Sequence, residues 1–598
     1  MAGNTLDLRD SIVEDDIGVN IARKWVEWNM FRQEKIEAWE EVRKYVYATD
    51  TTTTANSALP WKNKTTLPKL CQIRDNLYAN YRATLFPKRK WLRWEASNEE
   101  SVDKRDAITQ YMSWAIDQEQ FKTEMDKLIL DYIDYGNTFI TVEWMDERAE
   151  QEDKDQIGYV GPIIKRISPL DIVFNPTASS FNRSPKIIRS VVSVGEVKEL
   201  IDRMTTDDNR EEYEELFKYL MTIRRDARDA GTYDLDKHDE IYRVDGFGSY
   251  RQYLDSDYIE ILTFYGDMFE RNSGKFYKNH QIMVVDRHKV LSCKPHPSVF
   301  GHAPIYHAAW RKRQDNLWGM GPLENLVGMQ FKVDHIENIK ADALDLIVFP
   351  TLKVKGIVED FDWQPFTKIF VGDEGDVMPV QVPFQVLQLN SETQFYMGMM
   401  EETAGAPKEA MGFRSPGEKT KYEIQRLENA SSRIFANKCL QFETEIVEVG
   451  LNAMLEMARR KLVGTQVIPV FNDEFQFQTF ISLSAQDITG AGKLKPIAAR
   501  HFAERADVVQ NLTQFFSSPI GQDPAVKAHF SAKRLATLFE DLLDITDYNM
   551  VQPYIRLDEE AEGQRMAMEH QAQNQQQFQT PRGITPEDST LPIGAPVA

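Results

Sequence analysis

Two long helical periodicities constrain what this chain can fold into more than any other feature. The first runs from Pro322 to Phe349, with apolar residues at Leu323, Leu326, Val327, Val333, Ile336, Ile339, Ala343, Leu346 and Ile347, which is helical spacing. Pro322 suits a first helical turn and Pro350 stops the pattern. The second runs from about Glu418 to Leu462, through Tyr422, Leu427, Ile434, Phe435, Leu440, Ile446, Val447, Leu451, Met454 and Leu455. At about 1.5 Å per residue these are rods of roughly 40 and 65 Å. Rods of that length suit subunits packed side by side around an axis better than they suit a compact enzyme.

A chain of 598 residues can bury large cores, and its length predicts about three or four domains. Its 42% hydrophobic and 27% charged residues predict a globular protein rather than a disordered one. No run approaches 18 uncharged apolar residues, so no membrane span is expected. The acidic start, MAGNTLDLRDSIVEDD, is unlike a secretory signal. Cys71, Cys293 and Cys439 lie far apart with no pairing spacing, which fits assembly in a reducing compartment. The net charge of −22 argues against a repressor or nuclease that grips phosphates. An acidic surface that only keeps the protein in solution reads equally well.

Along the chain, Ile17–Tyr47 reads as helix, with Trp25, Trp28, Phe31, Ile36 and Trp39 as its apolar face, and 49–64 as a loop. From Lys62 to Arg93 there are nine Lys or Arg against Asp75 alone, interleaved with Trp61, Tyr78, Tyr81, Phe86, Trp91 and Trp94. This patch reads as a helix over 67–86 and a strand (KWLRWEA) whose cations pair with acids elsewhere. Single-stranded nucleic acid, which uses cations and stacking rings, is the alternative. Residues 103–135 form one helix with a glycine stop at Gly136, followed by a strand over 138–144. Residues 193–229 are helical and highly charged, 239–312 carry several strands, 390–404 are helical, and 466–484 are extended. From about Asp558 the chain is rich in Gln, Pro and acid, so the tail is expected to be disordered.

Catalytic signatures are missing. TGAGKL (489–494) lacks the first glycine of a phosphate loop, where Asp487 stands, and has Leu494 where Ser or Thr is needed. Gly319 and Gly321 open a helix without the third glycine of a dinucleotide turn. Cys293, His288, His296, His302 and His307 gather in one segment, but not at the paired spacing of zinc ligands. No cofactor, metal or enzymatic activity is expected.

The order of parts resembles that of bacteriophage portal (head-to-tail connector) proteins, best those of short-tailed phages, over roughly residues 20–550. Three stretches carry the resemblance. DYIDYGNTFITVEW with RISPLDIVFNPTA is similar to the wing, and LWGMGPLENLVGMQFKVDHIENIKADALDLIVFPTLKV to a stem helix and return strand. GAPKEAMGFRSPGEKTKYEIQRLENA is similar to the tunnel loop and the helix behind it. The resemblance implies an α+β, portal-like fold with wing, stem, clip and helical crown, its long helices set around a central channel. It divides the chain into an N-terminal helical segment (1–66), a first wing segment (67–192), stem helix 1 (193–229), clip (230–318) and stem helix 2 (319–349). A second wing segment (350–403), tunnel loop (404–421), long helix with following strands (422–484), crown (485–557) and tail segment (558–598) complete it.

It further implies a ring of about twelve subunits at one vertex of a virion, assembled in the bacterial host cytoplasm. Double-stranded DNA would pass through it. The terminase large subunit, the tail adaptor, and the major capsid and scaffolding proteins would be its partners, with no membrane involved. A channel that lets duplex DNA slide must not hold phosphates tightly, and an acidic chain with sparse cations meets that demand. Lys408, Arg414, Lys419 and Lys421 against Glu409 and Glu418 leave the loop 404–421 at +2. Gly405, Gly412 and Gly417 permit its movement, and Pro407 and Pro416 limit it. In the stem, Lys332, Lys340 and Glu337 are the expected channel residues. Asp334, Asp342 and Asp345 read as surface charges or bridges between neighbouring stems, and Gly328 as a point of close helix approach. The competing readings are another virion protein, a tail adaptor or an internal scaffold, and a DNA-processing enzyme.

Overall fold

Arg32 decides how the chain begins. In the computed structural model the N-terminal helical segment is two helices, α1 (Glu14–Phe31) and α2 (Gln33–Val46), rather than one. Between them Arg32 leaves helical geometry (φ −102°, ψ 1°) and is almost fully buried. Its guanidinium donates to the carbonyls of Pro169 (2.6 Å), Leu170 (2.6 Å) and Ile172 (2.7 Å), and to Asn29 Oδ1 (2.9 Å). A buried charge survives only with such donors satisfied, so the helix breaks where the arginine reaches its carbonyls. Trp25, Trp28 and Trp39 are buried as the periodicity predicts, whereas Phe31, beside the break, is exposed.

The structure describes residues 5–8, 14–86, 91–117, 119–146, 159–204, 210–230, 258–296, 298–356, 370–371, 375–380, 389–405, 434–472, 477–496 and 515. They show a mixed α+β architecture. Residues 1–470 and 478–503 form one unit. Residues 471–477 and 504–598 form a second, and little of it is described.

A three-stranded sheet, β10 (Ile305–Ala309), β3 (Asn137–Asp146) and β4 (Val160–Ile167), lies at the largest core. Around it pack α3 (Lys69–Leu85), α4 (Arg105–Ile116) and α5 (Glu119–Asp134). The single helix expected over 103–135 is thus α4 and α5, and the strand β2 (Leu92–Ala96) follows α3 as the pattern predicts.

A larger sheet gathers strands that the sequence places in three different domains. Its order is β5 (Ile172–Phe174), β6 (Lys186–Ser193), β7 (Tyr258–Glu270), β8 (Phe276–Val285) and β9 (Lys289–Pro295), and β1 (Thr5–Leu8) runs parallel to the far end of β7. A period of two sends Leu262 and Phe264 of β7 to one face and Ile259 and Ile261 to the other. The first face packs on Ile21 and Trp25 of α1 and on Leu6 and Leu8 of β1. The second is covered by α6 (Val194–Met204) and α7 (Arg210–Ala230), through Val197, Ile201, Tyr213 and Leu220. The segment expected as stem helix 1 is therefore two amphipathic helices lying on a sheet.

Three further helices are α8 (Val327–Val348), α9 (Asn390–Ala404) and α10 (Glu448–Lys461). Helix α8 begins later than the periodicity suggests, after a 3-10 turn at Glu324–Leu326. Helix α9 has the expected bounds and stops on Gly405, whose φ of 72° is the left-handed cap that glycine supplies.

The second rod is described from residue 434. It is helical to 442, widens into a π-turn at Glu443–Val447, and continues as α10. The π-turn lets both flanks meet the same sheet. Before it, Gln441 Nε2 donates to the Ala309 carbonyl (2.5 Å). After it, Gly450 packs so closely on Ile140 and Ile164 that a Cβ would lie 3.0 and 2.9 Å from them. The strands β11 (Leu352–Lys355) and β12 (Asp376–Pro379) pair antiparallel, as do β13 (Thr465–Asn472) with β14 (Phe477–Ser484), and β15 (Gly492–Pro496) with β2. Residues 406–433, 497–514 and 516–598, which hold most of the expected tunnel loop, crown and tail, lie outside the described residues, as does 231–257 in the expected clip.

Candidate functional site

The stem residues come first, because α8 holds them. Its polar positions Gln330, Asp334, Asn338 and Asp342 recur at every fourth residue, so they form one slowly winding stripe. That stripe is hydrogen-bonded to the backbone of residues 62–70 of the same chain. Gln330 accepts from Leu70 N–H (3.1 Å) and donates to the Leu67 carbonyl (2.6 Å). Asp334 accepts from Leu67 N–H (3.0 Å), Thr66 Oγ1 (2.7 Å) and Gln330 Nε2 (2.8 Å). Asn338 both accepts from Thr65 N–H (2.9 Å) and donates to its carbonyl (2.8 Å). Asp342 accepts from Asn63 N–H (2.9 Å) and Lys62 N–H (3.1 Å), and Asn63 Nδ2 donates to Asp345 (2.9 Å).

Asp334 is therefore buried rather than the surface charge expected, Asp342 is engaged by the strap, and Asp345 stays exposed beside Asn63. They secure an extended strap that makes no sheet, so its backbone groups need side-chain partners. Burial raises the pKa of Asp334 above its ordinary value, against the pull of Leu67 N–H, Thr66 and Gln330. The strict fourth-residue spacing was visible in the sequence; its partner strand was not.

Of the expected stem-channel residues, Lys332 is exposed. Lys340 and Glu337 are turned to each other (2.6 Å) and to α9: Lys340 Nζ donates to Asn390 Oδ1 (2.7 Å), and Thr393 Oγ1 donates to Glu337 (2.9 Å). Only Lys332 of the three is left facing solvent. Gly328 does not mark a close helix approach, because a Cβ there would meet nothing within 4 Å. Lys408, Arg414, Lys419 and Lys421 lie outside the described residues.

Among the described cations of the basic stretch 62–93, three are paired with acids. Arg74 makes a paired contact with Asp134 (2.7 and 2.8 Å), Arg82 meets Asp126 (3.2 Å), and Lys69 is buried against Glu401. Its rings are largely core: Tyr81 and Trp94 are buried, and Tyr78, Phe86 and Trp91 pack against that core. For Lys69, Arg74 and Arg82 these contacts match the paired-cation reading.

The glycine motifs also have packing explanations. A Cβ on Gly136 would lie 2.1 Å from Gly321 N, and one on Gly319 would lie 2.6 Å from the Ala309 Cβ. The turn at Tyr135–Asn137 and the segment 319–321 touch backbone to backbone. Asn137 locks them, donating to the Gly319 carbonyl (3.3 Å) and accepting from Gly319 N–H (2.8 Å). In TGAGKL, a Cβ on Gly492 would lie 2.4 Å from the Glu95 carbonyl oxygen and 2.6 Å from the Trp94 ring. Strand pairing with β2, not phosphate, requires that glycine.

Among the described residues no three His, Cys, Asp or Glu side chains come together as metal ligands. His307 stacks on Phe139 (4.5 Å between centroids, 15°) and its Nε2 hydrogen-bonds Asn137 Oδ1 (3.1 Å). Burial, with Lys312 and Lys186 adding repulsion, lowers its pKa from 6.5 to about 3. The folded state therefore favours neutral imidazole: this stabilisation is complete above pH 6.5 and is lost as pH falls toward 3. His307→Gln, which cannot take up that proton, is expected to flatten the acid limb of an unfolding curve over this range. An unchanged slope would remove His307 from the acid response.

Two clefts border this region. One, of 360 Å³, includes Lys186, Tyr265 and His302 in its lining. The Lys186 ammonium is already engaged by the carbonyls of Phe181 (3.0 Å) and Asn182 (3.3 Å), over the Phe181 ring (4.3 Å). The other, of 230 Å³, is crossed by the Lys312–Glu445 ion pair. Neither brings a nucleophile and a base into hydrogen-bond reach. No protein-family model matches the chain, and no curated protein matches it.

Proposed function

We propose that this chain is one subunit of a portal-like ring that conducts viral double-stranded DNA during packaging and ejection. In this reading the ring sits at a capsid vertex, docks the terminase large subunit and then the tail adaptor, and catalyses nothing. The observation that carries it is the two-sided character of α8. Residues 62–70 hold its polar stripe from Gln330 to Asp345 and α9 meets Glu337 and Lys340, while Leu344, Leu346 and Val348 in its last turns are exposed. A helix secured along one stripe that still exposes apolar side chains in its last turns suits an element finished by neighbouring subunits. The order of elements and the acidic balance support the same reading.

Negative-stain electron microscopy of the purified protein tests it. Rings with a central hole wide enough for duplex DNA are expected, and their absence both from concentrated protein and from assembled particles would sink the proposal. The tunnel-loop reading has its own test: Lys408→Ala with Arg414→Ala should lower packaged or retained DNA severalfold while rings still form. Normal packaging and retention would exclude those two cations from DNA contact. An ATPase assay on the same preparation separates the ring from the DNA-processing enzyme.

A further inference from the structure

The 360 Å³ cleft is lined from four segments, 182–186, 265–267, 278–279 and 300–303, and its charge runs against that of the chain. Arg183, Lys186 and Lys278 against Asp267 leave the lining at +2 in a chain of −22. Arg183 and Lys278 are exposed, whereas Lys186 is 1% exposed, which a lysine rarely is unless it is paired. Its ammonium meets neutral groups, the carbonyls of Phe181 and Asn182 and the face of the Phe181 ring. Burial lowers its pKa to about 7, and an anion beside it would raise that value again. The two carbonyls use two of its three donors, leaving the third for a group in the cleft. His302 adds no charge at neutral pH, because burial, with Lys186 and Arg183 nearby, lowers its pKa below 6.5.

The rim adds an aromatic ring in a conformation that folding would not choose. Val299 and His302 pair across a two-residue turn, in which Phe300 and Gly301 hold φ of 55° and 85°. Such turns ordinarily take Asn-Gly or Asp-Gly, since a bulky L side chain is strained at positive φ. Phe300 stands there all the same, and it is 57% exposed. It loses on backbone conformation and gains little from burial, so its benefit has to come from what the ring covers.

We propose that this cleft binds a phosphate monoester carrying a planar ring, the chemistry of a nucleoside 5′-monophosphate. At pH 7 a monoester bears a charge of about −1.5 to −2, which matches the lining. A carboxylate or a phosphodiester, with a single charge, leaves part of it unmatched. Arg183 offers a planar fork to two phosphate oxygens, and Lys186 and Lys278 supply point charges from two other segments. Phe300 stacks on the planar ring, as aromatic side chains do on nucleobases. The cleft is of the size that small-molecule ligands occupy. Nothing in this proposal needs a second subunit, so it does not rest on the ring reading.

Isothermal titration calorimetry on the full chain tests the proposal. The probes are adenosine 5′-monophosphate, inorganic phosphate, adenosine, and adenylyl-adenosine, which offers rings and a diester but no monoester. The monophosphate should bind about tenfold more tightly than each of the other three. Arg183→Gln and Lys278→Gln change exposed side chains, so the fold should keep its circular dichroism, and each should weaken the monophosphate roughly fivefold. Phe300→Asn suits the turn better, so it should melt at or above the wild-type temperature while weakening the monophosphate roughly tenfold. A wild-type chain that does not bind the monophosphate at millimolar concentration overturns the inference. So does monophosphate binding that all three substitutions leave intact, or binding of phosphate, adenosine or adenylyl-adenosine as tight as that of the monophosphate.

Discussion

Asp334→Ala is expected to free the strap 62–67 from α8, at a cost of about 3 kcal/mol. The substitution removes an acceptor from Leu67 N–H, Thr66 Oγ1 and Gln330 Nε2 together. Each group left buried without a partner costs roughly 1–3 kcal/mol, and partial access to water reduces the sum. Trypsin reads the effect locally, since Lys62 and Lys64 lie in the strap. Where opening is fast relative to cleavage, the rate follows the open population, so about 3 kcal/mol corresponds to cleavage on the order of a hundredfold faster. Asp334→Asn keeps one acceptor oxygen and should lose about 1 kcal/mol. Equal cleavage of Asp334→Ala and wild type would mean that the strap is held by its flanks and not by the ladder.

Gly136→Ala should have the larger effect. Gly136 has φ +64°, where an L side chain is strained by about 1 kcal/mol or more. Its new Cβ would lie 2.1 Å from Gly321 N and 2.4 Å from the Met320 carbonyl carbon. Both are backbone atoms, so no rotamer change relieves the clash. The strand β3 and the segment leading into α8 would have to separate, and Asn137 would lose its bonds to Gly319. A loss above about 4 kcal/mol is expected, enough for the protein to fail in soluble expression. Gly328→Ala is the matched contrast. It lies within α8 in open space, and the change should stabilise by about 0.5–1 kcal/mol. If Gly136→Ala melts within a few degrees of wild type, the two backbones do not approach so closely.

Local sequence was a good guide wherever one element's own residues decide its form. The bounds of α9 follow from its pattern and the glycine that caps it. The alternation in 138–144 and the glycine at 136 mark β3 and the turn before it. The failed phosphate-loop motif was readable as chemistry, since Asp487 and Leu494 exclude it, although the need for Gly492 against Trp94 and Glu95 was not. Periodicity misleads where a distant partner intervenes. Nothing near Arg32 announces three carbonyls at 169–172, so the first helix reads as continuous. Nothing in 193–229 reveals that Val197, Ile201, Tyr213 and Leu220 pack with Ile259 and Ile261.

By itself, then, the sequence determined the helical and extended periods, the glycine stops, the acidic balance and the lack of a nucleotide-binding loop. These depend on spacing and residue type within a few turns or strands. Only the tertiary structure decided that segments from three expected domains share one sheet. It also decided that the acids of α8 bind a strap, and that Lys340 and Glu337 face α9. Each of those outcomes rests on satisfying a buried polar group or an apolar face, and the residues that satisfy it lie from tens to hundreds of positions away.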